Sequence, residues 1–152
     1  MTNKENLLEF LQSQKLMSLG TFSSHLWIAT VFYYVDIDFN FYIYTSPKTK
    51  HASAFIKNDE VVCNIYDSHQ IFMDKKSGAQ VLGKIEEMNV VEQIKRAIDY
   101  WNQTNPGREQ VINWENMAKK VISGKMYKIQ PKQIQYYSEE LYGEEEFEIF
   151  NY

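Results

Sequence analysis

The sequence predicts a mainly β protein, an antiparallel barrel with helices at its periphery, and three observations carry that expectation. Short runs rich in Val, Ile, Phe, Tyr and Thr follow one another with turn residues between them, as at Asp36-Ile-Asp-Phe-Asn40. That is a pattern of hairpins rather than of parallel strands joined through helices. One run, Leu26 to Val35, is apolar on both of its alternating rows: Trp27, Ala29, Val31 and Tyr33 on one, Ile28, Thr30, Phe32 and Tyr34 on the other. Such a strand needs cover inside the barrel and outside it, from a helix or a second subunit. Helical periodicity is confined to a few segments before or between the strands.

The elements follow in order. Leu7, Leu8, Phe10 and Leu11 define a short amphipathic helix over 3–14, capped by Thr2 or Asn3, that plugs one end of a sheet. Strands are expected over 15–22, 26–35 and 39–45, the last two joined by the Asp/Asn turn, since those side chains bond their own backbone. A helix over 47–57 buries Ala52, Phe55 and Ile56 and ends at Asn58-Asp59. Strands over 61–66 and 79–88 flank a polar loop, 67–78. Gly83 lies inside the second of them, where glycine marks a bend or the close approach of another group. Asn89 is expected to cap a helix over 90–103 with the stripe Val91, Ile94, Ile98, Trp101, stopped by Asn105-Pro-Gly107. A further helix over 111–120 precedes a final strand over 125–137, interrupted near Pro131. No repeat or linker divides the chain, so a single domain over 1–138 is expected, followed by an acidic tail, 139–152, either mobile or folded over a neighbour.

Charge and composition exclude several classes. The net charge of −4 resides in the tail, which holds six glutamates; the body carries 16 basic and 14 acidic residues. Neither balance suits nucleic acid. No long apolar run marks a membrane span or signal peptide, and with Cys63 alone no internal disulfide can form, so a cytoplasmic location is expected. The three histidines, 25, 51 and 69, have no short ligand spacing, so no zinc site is expected. Eleven Tyr, nine Phe and three Trp exceed what a small core needs; a dimer interface or a planar ligand is the usual outlet.

The chemistry concentrates at the joint between the third strand and the helix after it, Phe41-Tyr-Ile-Tyr-Thr-Ser-Pro-Lys-Thr-Lys-His-Ala52. Ser46 followed by Pro47 reads as a helix start. A helix N-terminus favours acidic residues in its first turn, yet this one carries Lys48, Lys50 and His51. Two cations beside a positive dipole end need an anion between them. The Thr45, Ser46 and Thr49 hydroxyls, the free N–H groups and the lysines would converge on a phosphate. A solvated basic turn with diverging lysines is the plain alternative.

An opening helix, Leu19-Gly-Thr-Phe22, a hairpin, the aromatic-Tyr-x-Tyr-Thr-Ser-x-x-Thr-Lys-His-Ala run of 41–52 and a later Gly83-Lys-Ile strand together resemble the flavin-binding split barrels related to pyridoxamine 5'-phosphate oxidase. The nearer resemblance is to the YhbP-like branch, over most of residues 5–137. It implies an antiparallel split β-barrel of the flavin-reductase type, a homodimer with flavin at the subunit interface, and the phosphate of FMN held at the joint. Thr45 and Ser46 take the end-of-strand positions, Thr49 and Lys50 match a Ser/Thr and a basic residue, and His51 a following basic position. The barrel-strand glutamine corresponds to Gln80. The chain departs from the oxidases in having no basic residue over 26–35 and no C-terminal Arg-Leu motif, since its only arginines are Arg96 and Arg108. Vitamin phosphate oxidation is therefore not expected. The resemblance implies a flavin-dependent oxidoreductase of unknown substrate, using NAD(P)H or another small redox partner and no assigned catalytic acid or base. Two alternatives are a non-catalytic carrier of a flavin- or haem-type cofactor and a barrel that serves only as a dimeric interaction module.

Overall fold

The computed structural model describes residues 1–152. In chain order the elements are α1 (Asn3–Ser13), β1 (Leu16–Phe22), β2 (Leu26–Val35), β3 (Phe41–Thr45), α2 (Lys50–Lys57), β4 (Glu60–Tyr66), β5 (Ser77–Glu87), α3 (Val91–Thr104), α4 (Trp114–Ala118), β6 (Lys125–Ser138), α5 (Glu139–Tyr142) and β7 (Phe147–Asn151). All strand pairs are antiparallel, in the order β3-β2-β1-β4-β5-β6-β7, and β3 also pairs with β6 to close a barrel. β6 offers one edge to β5 and divides the other, with Lys125–Ile129 pairing β3 and Gln133–Tyr137 pairing β7.

Strand alternation fills the barrel. Met17 and Leu19 of β1, Val31, Tyr33 and Val35 of β2, Phe41 and Ile43 of β3 and the inward residues of β4 to β6 form one core cluster. α1 closes it with Leu7 and Leu11, and the expected Thr2 cap is present as a capping box with Glu5. α2 adds Ala52 and Phe55 from the other side. α3 lies outside, burying Ile94, Ala97, Ile98 and Trp101 against Met126 and the outward tyrosines 34, 42 and 44. The outward row of β2 is therefore covered only at Tyr34. Leu26, Ile28 and Phe32 stand in solvent, Leu26 with 82% of its surface exposed.

Several boundaries differ from the sequence expectation. Ser46-Pro47 does not start α2; it begins a turn closed by Thr49 N–H donating to the Ser46 carbonyl at 3.1 Å, and Thr49 is the cap. Proline at the second position of that turn stops the strand as effectively as it would open a helix. Asn89 does not cap α3, which follows Val90 without a side-chain cap, and Val91 is exposed. α4 is shorter than expected and is capped by Asn113. β5 begins at Ser77, inside the expected loop.

Pro131 does not interrupt β6. The β5–β6 register shifts between Leu82 and Gly83: Leu82 pairs Gln133 and Gly83 pairs Pro131, leaving Lys132 as the extra residue of a bulge. Gly83 is the close approach its position suggested, because a Cβ there would lie 2.6 Å from the Gln130 carbonyl oxygen. Gly83→Ala must push backbone against backbone, and a loss of about 1–3 kcal/mol is expected. Urea unfolding at unchanged m value measures it; an unaltered midpoint contradicts the packing.

Residues 139–152 do not form a loose tail. α5 and β7 extend the sheet along β6, and Phe150 enters the main core.

Candidate functional site

The joint between β3 and α2 brings Thr45, Ser46, Lys48, Thr49, Lys50 and His51 together, as the sequence indicated. Its hydroxyls are partly spent on building it. Thr49 Oγ1 donates to the Ser46 carbonyl at 2.8 Å and accepts from Ala52 N–H at 3.3 Å. Ser46 Oγ accepts from Lys48 N–H at 3.2 Å and from the Ser123 hydroxyl at 3.0 Å. His51 Nε2 lies 2.7 Å from Thr45 Oγ1 and 3.2 Å from Thr49 Oγ1. These bonds fix the turn. They leave the N–H groups of Lys50 and His51, the first two of the helix, with no acceptor. Neither Lys48 nor Lys50 pairs with a carboxylate, and α2 has no acid in its first turn. Two free N–H donors and two unpaired ammoniums at a positive dipole end are the donor set that an anion would need.

Burial lowers the His51 pKa below the ordinary 6.5. The folded state thus prefers the neutral ring. The stabilisation is present above the unfolded value of about 6.5 and is lost as pH falls through the folded pKa. In an NMR titration His51 is expected to protonate below pH 6.5, and at higher pH once an anion occupies the joint. A midpoint unmoved by anion contradicts the placement.

Lys50 connects the joint to a second feature. Its Nζ lies 3.7 Å from the centroid of the Trp27 ring, a cation–π contact. Trp27 stands on β2 at the barrel rim, with Thr21 of β1 as its cross-strand partner. Both line an apolar cleft of about 440 Å³ with Phe22, Leu26, Ile28 and Val62, within the size range of small-molecule sites. Thr21 is 2% exposed, and its Oγ1 has no hydrogen-bond partner. The donors at the joint are thus linked to the indole face through the Lys50 ammonium.

Gln80 is not in the joint. It lies on the outer face of β5, with its side chain bonded to Asn64 at 3.3 Å and Gln135 at 3.5 Å. That row belongs to an adjoining groove sharing Gly20, Ile28 and Val62 with the Trp27 cleft. Trp27 and Thr21 were not singled out by the sequence. Strand alternation put Trp27 in one row with Ala29, Val31 and Tyr33, the row the structure turns inward, but gave no sign that the barrel ends there. Of the other histidines, His25 is exposed in the β1–β2 hairpin and His69 is exposed in the β4–β5 loop. Cys63 is buried, and burial pushes its thiol up to about 12.

No family model matches the chain, and no curated protein matches it significantly. Solved structures do. A haem-binding protein from Mycobacterium smegmatis superposes with a TM-score of 0.79 at 10% identity, over 99% of this chain and 58% of that one. The chain therefore spans little more than half of that protein. HutZ, the haem storage protein from Vibrio cholerae, gives 0.69 at 13% identity over 99% and 95% of the two chains. A pyridoxamine 5'-phosphate oxidase-like protein from Listeria innocua gives 0.64 at 18% identity over 89% and 98%. The fold is thus the antiparallel split β-barrel of the pyridoxamine 5'-phosphate oxidase-like proteins. No helix of the chain is long and apolar enough to cross a membrane.

Proposed function

We propose that this chain is a flavin-binding split barrel, acting as a dimer, that holds FMN with its phosphate at the start of α2 and its ring system in the Trp27 cleft. The observation that carries this reading is Lys50, whose backbone N–H faces the anion position while its ammonium rests on the Trp27 ring. The residues fit the cofactor: an unpartnered donor set for a phosphate, and an indole with apolar walls for a planar ring. Bound flavin would supply hydride chemistry to an oxidoreductase of still unidentified substrate. The chain's own part is to anchor the phosphate, orient the ring and exclude water with Phe22, Leu26 and Ile28. A single buried thiol fits a reducing, cytoplasmic setting.

Lys50→Ala tests the anchor. Losing one charge-assisted contact of about 1.5–3 kcal/mol weakens FMN binding by roughly 10- to 100-fold, while Lys95→Ala on α3 is expected to leave it unchanged. Equal affinities in calorimetry would sink the assignment.

A second reading, a carrier of haem, is favoured by the likeness to the haem-binding protein of M. smegmatis and the haem storage protein of V. cholerae. Lys48 and Lys50 suit propionates as well as phosphate. An axial ligand would have to come from His25, His69 or His51, and His51 Nε2 is engaged with Thr45 and Thr49. NAD(P)H oxidation separates enzyme from carrier: a flavin that stays oxidised with either nucleotide and with other donors supports carriage.

A further inference from the structure

A second cleft lies on the other side of the barrel, under one flank of α3. Gln93, Arg96 and Tyr100 recur at helical spacing beside the stripe that α3 buries. They overhang a row of side chains that crosses three strands. Tyr34 of β2 pairs Tyr42 of β3, and Tyr42 pairs Lys128 of β6. The cleft between flank and row measures about 250 Å³ and is also lined by Asp36 and Met88. It shares no residue with the Trp27 cleft or with the start of α2. Sites for drug-sized ligands begin at about 300 Å³, so this one suits a smaller molecule.

Its wall is aromatic. Tyr34 stacks on Tyr42 with centroids 5.7 Å apart and on Tyr100 at 5.3 Å, with interplanar angles of 26° and 12°. Burial, and then the Asp36 carboxylate, raises the pKa of both Tyr34 and Tyr42, so these phenols stay neutral. Its charged end is uncompensated. Neither Arg96 nor Lys128 belongs to an ion pair, and neither lies over an aromatic ring. Glu86 faces Lys128 across the β5–β6 ladder without pairing with it. Asp36 is the one acid lining the cleft, and its acceptor sites are full. Oδ1 takes Asp38 N–H and Asn40 N–H at 2.9 Å each; Oδ2 takes Asn40 Nδ2 at 3.2 Å and the Tyr42 hydroxyl at 2.8 Å. Two cations therefore face one occupied carboxylate. A monoanion balances that charge, whereas a phosphate dianion overshoots it. A guanidinium fork matches a carboxylate in shape.

We propose that this cleft binds a small planar carboxylic acid, with its carboxylate between Arg96 and Lys128 and its ring against the tyrosines. The four elements that build the cleft are fixed by the barrel and by α3, so the site is preformed. It is independent of the cofactor reading, which concerns other residues.

Sodium benzoate, titrated into the full chain and followed by NMR at the Gln93 side-chain amide, tests the site. A shift that saturates at a benzoate concentration of about 10 mM or lower is expected. Arg96→Gln and Lys128→Gln should each weaken binding about 10-fold, the loss of one charge-assisted hydrogen bond. Neither substitution opens a cavity, and unchanged melting confirms that the fold is kept. Lys95→Gln, whose lysine pairs with Glu92 at 3.7 Å outside the cleft, should bind benzoate like the unaltered protein. Acetate, which has no ring, and inorganic phosphate should both bind about 10-fold more weakly than benzoate. No saturable shift, an unchanged affinity in Arg96→Gln, or acetate or phosphate binding as tightly as benzoate overturns the proposal. A shift abolished by Lys50→Ala would place the anion at the start of α2 and overturn it too. FMN uptake is read separately at the start of α2, so failure of either reading leaves the other standing.

Discussion

Ending the chain after Ser138 is expected to bring this protein to the edge of unfolding, although the segment removed reads in sequence as an acidic tail, either mobile or folded over a neighbour. β7 pairs with Gln133–Tyr137 of β6, and its loss uncovers that edge. Phe150 belongs to the main core, and removing a buried phenylalanine alone costs about 3–5 kcal/mol. Tyr152 packs on Phe39 with ring centroids 5.7 Å apart, and Tyr142 packs on Tyr136 at 6.0 Å. Domains hold only about 5–15 kcal/mol in total. A fall in Tm of roughly 10–20 °C, or loss of soluble protein, is therefore expected. A truncated chain that melts with the full one would mean that β7 does not pair as described.

Trp27→Ala is expected to have the largest effect on cofactor binding with little effect on stability. The ring is 43% exposed at the rim, so its removal leaves no sealed cavity. It is also the seat of the Lys50 ammonium and one wall of the cleft. Losing aromatic stacking of about 1–3 kcal/mol weakens FMN by roughly 5- to 150-fold. Trp27→Phe keeps a ring and most of the affinity. FMN fluorescence, quenched by a stacked indole, reports both variants. Equal affinities for Trp27→Ala and the unaltered protein would remove the ring from the cleft.

Much of the fold was legible because barrel strands carry their burial in strict alternation. The rows of β2 follow its sequence residue by residue, and the Asp36 turn is present, with Oδ1 accepting from Asp38 N–H and Asn40 N–H at 2.9 Å each. Gly83 was legible as a close approach because a glycine inside a strand has few other uses. Local ambiguity hid the helix start: Ser46 and Thr49 are both good caps, and the choice lies with a turn that costs only three residues. The six glutamates hid β7, since charge outweighed the alternation of Phe147-Glu-Ile-Phe150 that places Phe150 in the core. The cluster of unpaired lysines at the joint was readable from lysines placed where acids belong. The Trp27 cleft was not, because it depends on where the barrel ends and on a lysine side chain crossing from α2 to β2.

The most direct measurement is the visible absorption spectrum of the purified protein, before and after adding FMN and passing it through gel filtration. A flavin spectrum that travels with the protein, and is lost when Lys48 and Lys50 are both replaced by alanine, is the expected result. A protein that emerges colourless after FMN treatment, or that shows a haem band and takes up no flavin, contradicts the FMN site at the start of α2.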